Sequence, residues 1–125
     1  MTESIPPDQP PERPANPPGR APAEPRPWAK MPARVYLTGW LLPATMADAD
    51  LIARLMGEHE RLSRAEPGCL VFEIFRSMSD PMRFAVREVF ADRACFNAHQ
   101  ARTRSSDWWR QTAHIERDYR ISEGE

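Results

Sequence analysis

Two cysteines, Cys69 and Cys95, are all the chain carries. With no export signal ahead of them, they are expected as buried free thiols rather than a disulfide. Neither stands in a metal-ligand spacing, so no metal is expected. Charge of one sign is also missing: 17 basic and 18 acidic residues are interspersed and leave a formal net charge of −1. Such a balance offers no basic face to nucleic acid or to an anionic membrane, and neither is expected as a partner. No apolar run approaches the length that crosses a bilayer, and the first residues lack the basic start and apolar stretch of a secretory signal. A soluble, cytoplasmic protein is the expectation. Phosphate-cradling glycine loops, dinucleotide turns, a Ser-His-Asp order and clustered His/Cys ligands are absent too, which removes the common nucleotide, nicotinamide, serine-hydrolase and metal chemistries.

Proline is plentiful, and its distribution divides the chain. Of 14 prolines, only Pro43, Pro67 and Pro81 follow Ala33. The segment before Ala33 has few apolar residues besides Ile5 and Trp28, too few to offset its ordering entropy. Residues 1–32 are expected as a disordered, polyproline-like arm, and residues 33–125 as a single domain. PxxP spacings in the arm would suit an SH3-type partner, but they arise by chance wherever proline is this dense.

From Ala33 onward the patterning is regular. Residues 34–42, R-V-Y-L-T-G-W-L-L, are β-branched and aromatic with apolar groups on both faces, the signature of a central strand. Gly39 within it allows a backbone or ligand to come close. Pro43 stops the strand, and Thr45 with Asp48 has capping-box spacing with Asp in place of Glu. A helix is expected over residues 47–65, its apolar stripe formed by Leu51, Ile52, Leu55, Met56, His59 and Leu62. Glu66-Pro67-Gly68 ends it. Strands over residues 69–78 and 82–91 follow, joined by a short turn at Ser79-Asp80-Pro81 and paired antiparallel. Asp92 caps a helix carrying Phe96 and His99, and Ser105 or Ser106 a shorter one carrying Trp108 and Trp109. A strand with alternating faces over residues 113–121 closes the domain.

This order predicts an α+β, ferredoxin-like βαββαβ fold: a four-stranded antiparallel sheet with its helices on one face. The other face is left bare. If Val71, Glu73 and Phe75 lie on one side of their strand and Leu70, Phe72 and Ile74 on the other, both sides carry apolar groups that water penalises. A second copy, sheet against sheet, is the simplest remedy.

The run Ala65-Glu66-Pro67-Gly68-Cys69, with Phe72-Glu73, Arg76-Ser77, Asp80-Pro81, Phe84, Glu88-Val89-Phe90, Asp92, Ala94, Phe96, Ala98 and His99, resembles the antibiotic biosynthesis monooxygenase family. The resemblance implies a homodimeric α+β barrel and an oxidoreductase of the quinol monooxygenase kind, acting without metal, flavin or other cofactor. Its partners would be a small quinol or polyphenolic aromatic and dioxygen. Two departures stand out. Phe90 occupies a place where family members often carry Trp, and Trp108 and Trp109 occupy the region where haem-degrading relatives place a ligand His, which argues against haem cleavage.

Within that frame His99 is the candidate base, because an imidazole near neutrality accepts a phenolic proton without a metal. The resemblance places it near the pocket mouth. A histidine that merely fixes the helix end is the alternative. Glu88 interrupts an apolar strand, so it needs either a partner or a raised pKa. It is expected to orient His99, or else to form a buried ion pair with Arg34 or Arg117. Tyr36, Trp40, Phe72, Phe90, Trp108 and Trp109 are candidates for an aromatic slot, though only a subset should touch ligand. His59 is expected as packing and His114 as exposed. The rival to an enzyme is a non-catalytic small-molecule-binding or stress-response module, which a cavity without interior polar groups would favour.

Overall fold

A computed structural model describes residues 33–124; the expected proline-rich arm, residues 1–32, lies outside the described residues. The elements run β1 (Arg34–Leu42), α1 (Met46–Arg64), β2 (Cys69–Arg76), β3 (Phe84–Phe90), α2 (Arg93–Arg104), α3 (Asp107–Thr112) and β4 (Glu116–Gly124). The four strands form one antiparallel sheet in the order β2-β3-β1-β4. This is the ferredoxin-like α+β fold.

Each helix starts on a side-chain acceptor that satisfies an otherwise orphan N–H. Thr45 accepts from Asp48 N–H at 3.1 Å, Asp92 from Cys95 N–H at 2.8 Å, and Ser106 from Trp109 N–H at 3.2 Å. The capping box is only half realised, because the Asp48 carboxylate turns to His114 Nε2, 3.1 Å away. Gly68 ends the α1–β2 turn at φ +79°, and a Cβ there would lie 2.3 Å from Cys95 Sγ. That contact seats α2 on the turn.

Three features differ from the sequence reading. The β2–β3 connection spans residues 77–83 rather than three residues. Its side chains hold a turn that strand pairing would break: Ser77 Oγ accepts from Asp80 N–H at 3.2 Å and Asp80 from Met82 N–H at 2.9 Å. β4 begins at Glu116 rather than Ala113, because Ile115 N–H closes a turn onto Thr112 O at 2.9 Å. On α1 the buried stripe is Ala49, Ile52, His59 and Ser63, with Leu62 exposed, so the apolar face is rotated toward the small residues that let the helix approach the sheet.

The parity of each strand decides what enters the core. Val35, Leu37 and Leu41 of β1, Phe72 and Ile74 of β2, and Phe84, Val86 and Phe90 of β3 face the helices, against Ile52, Phe96 and Trp108. Tyr36, Trp40, Val71 and Phe75 therefore point to the opposite, uncovered face, where Phe75 is 58 % exposed. Leu70 does not join Phe72 on the inner side; a register shift between Cys69 and Val71 leaves it in solvent. Gly39 is needed for a backbone approach: at φ +154° a Cβ would lie 2.1 Å from Asp118 O on β4. No helix among the described residues is long and apolar enough to cross a membrane.

Candidate functional site

His99 sits on the sheet-facing side of α2, one turn beyond Phe96, and is 2 % exposed. Its Nδ1 lies 2.7 Å from Oε1 of Glu66, which stands in the α1–β2 turn. The other Glu66 oxygen accepts from Arg102 Nε, and Arg102 also donates to Ser63 Oγ at 3.0 Å. A carboxylate can only accept, so Nδ1 carries the proton and Nε2 is left with its lone pair. Thr103 Oγ1 lies 3.3 Å from Nε2, and Glu88 Oε1 3.7 Å. Burial lowers the His99 pKa, and the Glu66 carboxylate opposes that effect. Orientation of the imidazole thus comes from Glu66, not from Glu88.

Glu88 belongs to the buried parity of β3, between Leu37 of β1 and Phe72 of β2. It is 6 % exposed, and its Oε1 has no hydrogen-bond partner among the described residues. Burial pushes its carboxyl up to about 8, helped by the nearby Glu66 charge and opposed by Arg117. Glu88 is therefore a neutral acid at pH 7. No ion pair to Arg34 or Arg117 forms among the described residues. Arg117 instead donates to the carbonyls of Thr112 at 2.8 Å and Ile115 at 3.0 Å and to Thr112 Oγ1 at 3.0 Å, with Trp109 stacked 4.9 Å away.

Glu88 and His99 face a cavity of about 170 Å³ between sheet and helices. Leu37, Phe72, Ile74, Val86 and Ile121 form its apolar part, and Thr103, Arg117 and Tyr119 add polar groups. Gln100, Arg104 and Trp109 also border it. Trp108 stacks on His59 at 4.6 Å with the rings 4° from parallel, and burial lowers the His59 pKa to about 3. His59 is thus a neutral packing residue. His114 lies outside at the protein surface, against Asp48. On its other side the Glu66, His99 and Arg102 cluster borders a second, open hollow of about 380 Å³ lined by Pro67, Cys95 and Ala98. Among the described residues no three His, Cys, Asp or Glu side chains converge as metal ligands would.

Of the candidates named from sequence, the fold brings His99, Glu88, Phe72, Trp108 and Trp109 to one cavity. Phe90 lies behind His99, with ring centroids 4.9 Å apart, and does not line the cavity. Tyr36 and Trp40 lie on the opposite face of the sheet, Trp40 beneath the Arg83 guanidinium at 4.0 Å. Glu66, Thr103 and Tyr119 were not singled out as site residues, and Arg117 was named only as a possible ion-pair partner of Glu88. Glu66 sits 33 residues from His99 in a turn whose residues already had a structural reason. Arg117 and Tyr119 were detectable as polar residues sharing the parity of Ile115 and Ile121, a phase that burial makes costly.

The model of the family described as antibiotic biosynthesis monooxygenase matches residues 46–117. No curated protein shows significant similarity to the chain. Among solved structures, a Nitrosomonas europaea protein provisionally named an antibiotic biosynthesis monooxygenase is 23 % identical, with a TM-score of 0.58 over 72 % of this chain and 89 % of that one. A conserved Bacteroides thetaiotaomicron protein of unknown function is 15 % identical, with a TM-score of 0.61 over 73 % and 97 %. A Deinococcus radiodurans protein, also provisionally named for the same family, is 21 % identical, with a TM-score of 0.57 over 73 % and 90 %. At these identities the structural likeness is one of fold.

Proposed function

Because the chain belongs to the antibiotic biosynthesis monooxygenase family, we propose that its cavity oxidises a single-ring quinol or polyphenol with dioxygen, His99 acting as base and Glu88 as acid. The observation that carries this reading is the Glu66–His99 pair, whose unprotonated Nε2, 3.3 Å from Thr103 Oγ1, lies beside a neutral Glu88 in a largely apolar cavity. Nε2 takes the phenolic proton. The phenolate, held in a dry pocket, is electron-rich enough to reduce dioxygen and form a carbon–oxygen bond at a ring C–H position. Glu88 protonates the outer peroxide oxygen, and as the O–O bond breaks the departing hydroxide takes the proton held by the His99 imidazolium and leaves as water. The ring C–H proton released in that step returns to the carboxylate. One oxygen atom stays on the ring as a carbonyl, and because the electrons come from the substrate no cofactor is required.

Cavity size supports a small substrate, since an apolar cavity of about 150 Å³ accommodates benzene and this one is about 170 Å³. The interior carboxyl and imidazole weigh against a non-catalytic binding module. The same reading includes a homodimer docked through the uncovered sheet face, where Tyr36, Trp40, Val71 and Phe75 would leave water. Oxygen uptake by the purified protein with a panel of hydroquinones tests the chemistry. Turnover above blank should fall about a hundredfold or more in His99→Gln, and no uptake with any quinol, or an unchanged rate in that variant, removes the assignment.

A further inference from the structure

Charge within the cavity is one-sided. Six ionisable side chains border it: His59, Glu88, His99, Arg104, Arg117 and Tyr119. Burial keeps His59 neutral at pH 7, Glu88 retains its proton to about pH 8, and burial pushes the Tyr119 phenol up and the His99 imidazole down. The two guanidiniums remain charged, since arginine does not give up its proton in proteins. The hydrogen-bond partners of Arg117 are neutral: two backbone carbonyls, a threonine hydroxyl and the Tyr119 phenol. Arg104, the last residue of α2, is exposed at the cavity edge and has neither ion pair nor hydrogen bond to a described residue. Arg102, two positions earlier, is by contrast consumed by Glu66. A cavity wall with two positive charges and no ionised carboxylate among its own residues attracts an anion, more strongly where the walls are apolar.

We propose that the substrate is a single-ring dihydroxyaromatic that bears a carboxylate, with the ring against Trp108 inside the cavity and the carboxylate at the edge, paired with Arg104. Arginine suits that role because its planar fork meets a carboxylate through two parallel hydrogen bonds. The proposal rests on the oxygenase reading above for the hydroxyl groups, and on Arg104 for the anion.

The test measures binding and turnover separately on the full chain. 2,5-Dihydroxybenzoate, its methyl ester and hydroquinone are titrated against tryptophan fluorescence, which Trp108 and Trp109 report from the cavity, and each is also assayed for oxygen uptake. The acid should bind at least tenfold more tightly than the neutral ester, the preference should shrink as salt rises, and Arg104→Gln should bring the acid-to-ester ratio close to one. Equal binding of acid and ester, no saturable binding of the acid, or a preference untouched in Arg104→Gln overturns the proposal. Selective binding of the acid without oxygen uptake would leave the anion site standing and remove the oxygenase reading. Oxygen uptake with hydroquinone and no preference for the acid would do the reverse.

Discussion

Glu88 makes stability depend on pH in a direction opposite to that of most carboxylates. In the fold its proton is held to about pH 8, while in the unfolded chain it leaves near 4.5. Between those values folding must rebind a proton that the unfolded chain has already lost. Stability from this group is therefore fully present below pH 4.5 and declines by about 1.4 kcal/mol for each pH unit until pH 8, roughly 5 kcal/mol in all. That is a large share of the 5–15 kcal/mol typical of a folded domain. Glu88→Gln keeps the size of the side chain and abolishes the titration. Urea unfolding of parent and variant at matched protomer concentration, at pH 5, 6, 7 and 8, isolates the effect. The variant's advantage over the parent should widen by about 2 to 3 kcal/mol between pH 5 and pH 7. A constant offset between the two carries no weight, because glutamine can leave an unpaired amide of its own. Curves that stay parallel across the range would refute the argument, for they would mean that Glu88 ionises in the folded protein with the ease of an exposed carboxyl.

Three further perturbations reach other parts of the molecule. Gly39→Ala sets a Cβ 2.1 Å from Asp118 O at a backbone angle that L residues avoid, so it should cost about 3 kcal/mol or more and lower the melting temperature; an unchanged melting temperature would contradict the close β1–β4 approach. Glu66→Gln removes the carboxylate that supports a proton on His99, so oxygen uptake should drop about tenfold to a hundredfold and the acidic limb of its pH profile should move to lower pH; a limb that stays in place would dissociate Glu66 from the base. Phe75→Glu puts a charge on the uncovered sheet face, and sedimentation at micromolar concentration should find a dimer for the parent and a lone protomer for the variant. A monomeric parent would sink the docking of two sheets.

Local signals in the sequence carried a long way. Strand β1 was legible because β-branched and aromatic residues run from Arg34 to the stop at Pro43. The helix starts were legible because Thr45, Asp92 and the Ser105-Ser106 pair, of which the structure uses Ser106, each precede a run whose first amides lack partners. These depend on contacts three residues apart, which composition and spacing encode directly. Element order then constrained the topology, and residues 65–99 carried the family. Of the candidate site, Glu88 stood out as a carboxyl interrupting an apolar strand, and His99 stood out through the family resemblance and the chemistry of its imidazole.

Other features depend on separation in the chain rather than on local pattern, and only the tertiary structure decided them. Tyr36 and Trp40 could not be told from inward-facing residues, because β1 is apolar on both faces and a shift of one position exchanges its inside and outside. The partner of His99 could not be read either. Glu66 reaches it only because the turn at Gly68 packs on Cys95 and brings residues 33 positions apart within 2.7 Å. The chain alone thus determined which segments become strand and helix and which family they form, since those follow from neighbours along the backbone. Which carboxylate orients the imidazole, which one keeps its proton and which aromatic rings enclose the cavity were decided by packing, because burial and proximity across the fold exist only once the layers have closed.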